Sequence, residues 1–125
     1  MIYLDTNFLI HSLFLGTKES LLVDQWFDNG ELLAINLIVW AEFLCGPATS
    51  AEILAARNLF PNPEKLEVID AERAAELYNL TGRRRGSLAD CMIAATCLRE
   101  GSSLATQNLD HFRRFEPAGL KLIEY

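Results

Sequence analysis

The sequence predicts an α/β fold: a central parallel sheet of about five strands with helices on both faces, in one domain over residues 1–125. Short apolar strand-like segments alternate with helical ones along the whole chain, with no repeat, linker or low-complexity segment. Several of these segments are apolar throughout, the mark of elements covered on both sides. Repeated strand–helix alternation with right-handed crossovers gathers the carboxyl ends of the strands along one edge.

Met1 to Leu4 reads as the first buried strand, and Thr6 to Leu15 as a helix ended by Gly16. Glu19 to Asp28 is a second helix, with Leu21, Leu22, Trp26 and Phe27 on one side and Asn29-Gly30 closing it. Leu32 to Ile35 is a second strand. Asn36 is placed to cap the next helix, which Gly46-Pro47 ends. Ser50 to Phe60 is helical, Pro61 and Pro63 break it, and Leu66 to Ile69 reads as a third strand. Ala71 to Leu80 is an Ala/Glu-rich helix running into Thr81-Gly82-Arg83-Arg84-Arg85-Gly86. Leu88 to Arg99 is apolar almost all round, as a buried central helix is. Strands at Ser103 to Thr106 and Leu120 to Ile123 complete the set.

The chain has 125 residues, enough to bury roughly two-thirds of its unfolded surface. Net charge is −6; residues 1–66 hold three cations and eight acids, residues 67–125 eight cations and nine acids. That balance excludes attachment to nucleic acid by overall positive charge, but not by a local arginine patch aided by a metal. Cys45, Cys91 and Cys97 lie in apolar segments without C-x-x-C spacing, so they read as free buried thiols in a reducing compartment. No signal peptide and no apolar run long enough to span a membrane are apparent, so the expected location is the cytoplasm.

Three acids stand out. Asp5 sits where the first strand hands over to a helix, and in an open α/β sheet that carboxyl end is where ligands bind. Glu42 in LIVWAEFLCG and Asp90 in SLADCMIAATCL are embedded in strongly apolar stretches. An ionised group there is costly unless it is paired or metal-bound. Each has a plainer reading. Asp5 is a good helix N-cap, and Ser87-Leu88-Ala89-Asp90 has capping-box spacing. Glu42 fits a solvated helix face, although its neighbours Trp40, Ala41, Phe43 and Leu44 leave that face little room. In Leu104-Ala-Thr-Gln-Asn-Leu-Asp-His-Phe112, Asn108 suits a turn and Asp110 a helix cap. His11 and His111 read as surface or packing residues, and Trp26 and Trp40 as core or interface rather than base-stacking platforms.

At these places together the sequence resembles the PIN-domain ribonucleases, specifically the VapC-type toxins of toxin–antitoxin pairs. The matching pieces are YLDTN, AEFLCG, LADCMIAATCL and LATQNLDHF, in order and spread over nearly the whole chain. The resemblance implies metal-binding, catalytic acids at Asp5, Glu42 and Asp90. The fourth acidic position falls at Asn108, with Asp110 two residues on. Thr6 and Thr106 match supporting hydroxyl positions, and Asn7 completes the first motif. The implied cofactor is Mg²⁺ or Mn²⁺, which prefers oxygen ligands. The implied reaction is attack of a metal-activated water on an RNA phosphodiester, leaving a 5′-phosphate and a 3′-hydroxyl.

Resemblance also implies a homodimer and a VapB-like antitoxin whose C-terminal segment blocks the acidic site. Arg83, Arg84 and Arg85, the one dense cation cluster, lie a few residues before Asp90. They are either solvated loop or RNA-phosphate contacts, with Arg113 and Arg114 as extensions of the patch. Two rival readings remain. A phospho-acceptor receiver domain would need paired acids at the first strand and a late lysine, and only Asp5 stands at that strand. A PIN-like fold that has lost catalysis and only binds is the closer rival, because Asn108 replaces an acid.

Overall fold

The computed structural model describes residues 1–125. Its sheet has four strands rather than about five: β1 (Ile2–Leu4), β2 (Leu33–Ala34), β3 (Ser103–Ala105) and β4 (Lys121–Ile123). They lie in the order β2-β1-β3-β4, all parallel. Ile2, Tyr3 and Leu4 are all buried. Successive side chains point to opposite faces of a strand, so both faces of β1 are covered.

The helices are α1 (Thr6–Ser12), α2 (Lys18–Asp28), α3 (Leu37–Cys45), α4 (Ser50–Leu59), α5 (Val68–Leu80), α6 (Leu88–Arg99) and α7 (Leu109–Phe112). A 3₁₀ helix, Arg113–Ala118, continues α7 and leads to β4. Central α6 buries Cys91, Ile93, Ala94, Ala95, Thr96 and Cys97, as its all-round apolar pattern predicts. Asn36 caps α3 as expected: its Oδ1 accepts the Val39 N–H at 3.0 Å, while its Nδ2 donates to Thr96 at 3.1 Å. Trp26 stacks on Phe8 and Trp40 on Phe43, both in or beside the core. No helix is long and apolar enough to cross a membrane.

Two boundaries and one cysteine differ from expectation. The segment Leu66 to Ile69 is not a strand: Val68 and Ile69 open α5 and are 76% and 60% exposed. A capping box accounts for this, because the Asp70 carboxylate accepts the Glu67 N–H at 3.0 Å and the Glu67 side chain caps in return. Only Glu64 touches strand-like backbone there, bridging Asn36. α1 stops at Ser12 instead of running to Leu15, and Phe14 and Leu15 are exposed beyond it. Cys91 and Cys97 are buried thiols, whereas Cys45 is exposed at the end of α3.

The chain moves from β1 to β2 on one side and later places β3 on the other side of β1. The crevice above the carboxyl ends of β1 and β3 is therefore the topological switch point, the place where this kind of sheet binds ligands.

Candidate functional site

Asp5 follows β1 directly, and Thr106 follows β3. The ladder brings them together, with the Asp5 N–H donating to Ala105 O at 3.0 Å. Asp5 is 6% exposed. Its Oδ1 accepts the Thr6 N–H and its Oδ2 the Thr106 hydroxyl, each at 2.7 Å. Thr106 in turn accepts the Asn108 N–H at 3.0 Å. Asp5 is thus helix cap and site residue at once. Burial pushes its carboxyl up to about 6, against the opposing pull of the Thr106 and Thr6 hydrogen bonds; the charges of Asp90 and Glu42 raise it further.

Glu42 reaches this site through Thr6, whose hydroxyl donates to its Oε1 at 2.7 Å. Contrary to expectation it lies on an exposed face of α3, beside exposed Ala41 and Leu44. The apolar neighbours misled because Val39 and Phe43, one helical face away, carry the burial.

Asp90 is in the first turn of α6 but makes no capping box. Ser87 caps nothing with its side chain, and its buried hydroxyl has no partner. The Asp90 Oδ2 instead lies 2.5 Å from His111 Nε2 and 3.8 Å from Arg114 Nη2, while Arg114 Nη2 is 2.9 Å from His111 Nε2. His111, expected to be a surface or packing residue, is therefore part of the site's wall. His111 and Arg114 stand three residues apart across α7 and the 3₁₀ helix, a spacing that puts both on one helical face. That spacing is the one trace the pair leaves in the sequence, and it does not point to Asp90.

The remaining candidates do not converge. Asn7 and Asn108 are exposed and no side-chain hydrogen bond ties either of them to the acids. Asp110 is wholly solvent-facing, 3.8 Å from Arg113. Arg113 is turned toward Glu124, Glu116 and Asp110. Arg83, Arg84 and Arg85 are exposed; Arg83 bonds Asn79 and lies over the Tyr78 ring, and none of the three forms an ion pair with an acid.

Carboxylates and a threonine hydroxyl are hard oxygen donors, so the donor types fit Mg²⁺ or Mn²⁺. As the side chains stand, no three His, Cys, Asp or Glu groups close on one point. Glu42 is turned to Thr6 and Asp90 to His111, so a cation would have to draw both toward Asp5. Such a cation would relieve the cost of the buried Asp5 charge.

Known structures share this architecture. VapBC2 from Rickettsia felis, bound to a DNA fragment from their promoter, matches with TM-score 0.79 at 21% identity, over 100% of this chain and 99% of that one. A toxin–antitoxin complex from Klebsiella pneumoniae matches with TM-score 0.72 at 26% identity, over 99% and 97%. VapBC-5 from Mycobacterium tuberculosis, a member of the VapBC family of toxin–antitoxin systems, matches with TM-score 0.66 at 21% identity, over 98% and 97%. No curated protein sequence matches the chain. The sequence model of the PIN domain matches residues 2–116, from the start of β1 to the 3₁₀ helix that follows the His111 turn. With every element that builds the crevice inside that match, the chain belongs to the PIN domain family.

Proposed function

We propose that this chain is a VapC-type toxin: an Mg²⁺- or Mn²⁺-dependent endoribonuclease that hydrolyses RNA, with tRNA or ribosomal RNA as the expected target class. The whole chain, 1–125, acts as one domain in the cytoplasm, as a homodimer held in check by a cognate VapB-like antitoxin. Membership of the PIN family and the likeness in fold to toxin–antitoxin structures support this reading. The observation that carries it is Asp5: a buried carboxylate at the switch point, made costly by burial and by the charges of Glu42 and Asp90.

A bound divalent cation supplies an acidified water and charge stabilisation for the phosphodiester. Asp5, Glu42 and Asp90 are the residues to hold it. Thr106 and the Thr6 N–H fix both Asp5 oxygens, so that carboxylate is oriented before any ligand arrives. Thr6 holds Glu42 at the rim. No side chain is required as general base.

The test is RNA hydrolysis by antitoxin-free protein, with products ending in 5′-phosphate and 3′-hydroxyl. Cleavage is expected with Mg²⁺ or Mn²⁺ and lost in EDTA, and lost in Asp5→Asn and Asp90→Asn. Cleavage undiminished by chelator overturns the mechanism. A second reading, a PIN fold that binds RNA or protein without cutting, is favoured by the exposed Asn108 at the fourth acidic position and by the three acids' failure to close on one point. It predicts binding without cleavage under every metal condition.

A further inference from the structure

Arg114 is a buried cation with more donors than partners. Its side chain is 10% exposed, yet Nε and Nη1 are buried with no hydrogen-bond partner. The guanidinium lies over the Phe115 ring at 4.8 Å, which fixes its plane. Its one nearby carboxylate is Asp90, 3.8 Å away, and its one hydrogen-bond partner is His111. That bond conflicts with another: His111 Nε2 cannot donate to Asp90 and accept from Arg114 with the same atom. Arg114 therefore has no hydrogen bond that is not contested. Arginine stays charged at any working pH, so it must find another anion whenever Asp90 turns away.

The structure offers a route for that anion. Arg114 borders a groove of about 460 Å³ shared with Arg73, Leu77, Leu80, Thr81 and Pro117. Thr81 is the last residue before the Gly82–Gly86 loop, whose Arg84 and Arg85 are exposed without acidic partners. The groove so runs from the end of α5, where the arginine loop begins, to Arg114 at the wall of the acidic site.

We propose that Arg114 is an exchange residue: it rests on Asp90 in the metal-free protein, and when Asp90 turns to a divalent cation it takes an RNA phosphate beside the site. The proposal rests on the ribonuclease reading above. It makes metal and RNA binding mutually reinforcing through a residue that is not a metal ligand. Arginine suits the role because its planar donor set matches phosphate as well as carboxylate.

The experiment is equilibrium binding of a short single-stranded RNA across NaCl concentrations. Ca²⁺, an oxygen-seeking cation, stands in for the catalytic metal in one arm, and EDTA in the other. With Ca²⁺, Arg114→Gln is expected to flatten the log–log salt slope by about 0.7, the value of one single-strand phosphate contact. In EDTA, parent and Arg114→Gln should coincide. Asp90→Asn should steepen the slope in EDTA by about the same 0.7, because Arg114 is then free without metal. The double variant Asp90→Asn/Arg114→Gln should lose that gain. An Arg114 contribution equal in Ca²⁺ and EDTA, or absent in both, overturns the exchange. Should Arg114→Gln not fold, Asp90→Asn against parent decides alone, and identical slopes in EDTA overturn it. A parent that binds RNA and cuts it with Mg²⁺ while failing these comparisons loses only the exchange. A parent that neither binds nor cuts RNA overturns the ribonuclease reading and the exchange with it.

Discussion

At Asp5, burial and neighbouring charge act in the same direction, and the sign of the pH dependence follows. Its folded value of about 6 exceeds the unfolded 3.8, so between those values the native state binds more protons than the unfolded chain. Stability from this group is fully present below about pH 4, falls as pH rises toward 6, and stays low above; the difference is about 3 kcal/mol. Asp5→Asn is therefore expected to stabilise the metal-free protein at pH 7 by about 1–2 kcal/mol, less than the full amount because the amide cannot accept from both Thr6 and Thr106 equally well. At pH 4 the gain should vanish. Urea unfolding in EDTA at the two pH values checks this, and a gain equal at both would remove the charge explanation. Mg²⁺ should raise the melting temperature of the parent and much less that of the variant. Asp5, Glu42 and Asp90 were legible as sequence because acids in apolar runs need a reason. His111 and Arg114 were not, since their role depends on which rotamer Asp90 adopts, and nothing in local composition sets that.

Among the elements, α5 shows where local pattern and tertiary context part. Leu66, Val68 and Ile69 carry β-branched and apolar character that favours a strand, yet the Glu67–Asp70 capping box starts a helix instead. Asp70 is 1% exposed and also accepts from Arg99 Nε at 2.8 Å. Arg99, at the end of α6, further bonds Glu64 at 3.2 Å and Glu100 at 2.7 Å. One guanidinium thus ties the start of α5 to the end of α6. Arg99→Ala should cost about 3–5 kcal/mol, chiefly because Asp70 is left charged and buried. Val68→Glu should change stability by no more than about 0.5 kcal/mol, because the residue is exposed and an acid suits a first helical turn. A buried strand residue would not tolerate it. Denaturant midpoints of the two variants test both statements. The Asn36 cap and the all-apolar α6 were readable because a single residue or a single period decides them. The start of α5 was not readable, because two competing local signals overlap on Glu67, Val68 and Ile69.

Over the whole molecule, the net charge of −6 opposes RNA, so any attraction must be local. The parallel sheet and the gathering of strand ends along one edge were legible, since chirality leaves alternating strands and helices little choice. The strand order β2-β1-β3-β4, which makes Asp5 and Thr106 neighbours, required the fold itself. The arginine loop sits beside this edge with its conformation set by the end of α5. Gly82 takes the left-handed turn at φ 88°, and the Arg83 N–H donates to Tyr78 O at 2.9 Å in a Schellman closure. Arg83 is thereby spent on Asn79 and Tyr78, which leaves Arg84 and Arg85 as the free cations of the loop. Their joint replacement by Ala should weaken single-stranded RNA binding and flatten its log–log salt slope by up to about 1.4, two contacts at about 0.7 each. Arg83→Ala should flatten it by less than half that amount. Neither change should alter the Mg²⁺-induced rise in melting temperature, because the loop holds no metal ligand. An unchanged slope on losing Arg84 and Arg85 would mean the loop is merely solvated, and a negatively charged protein would then have to hold RNA by its metal site and Arg114 alone.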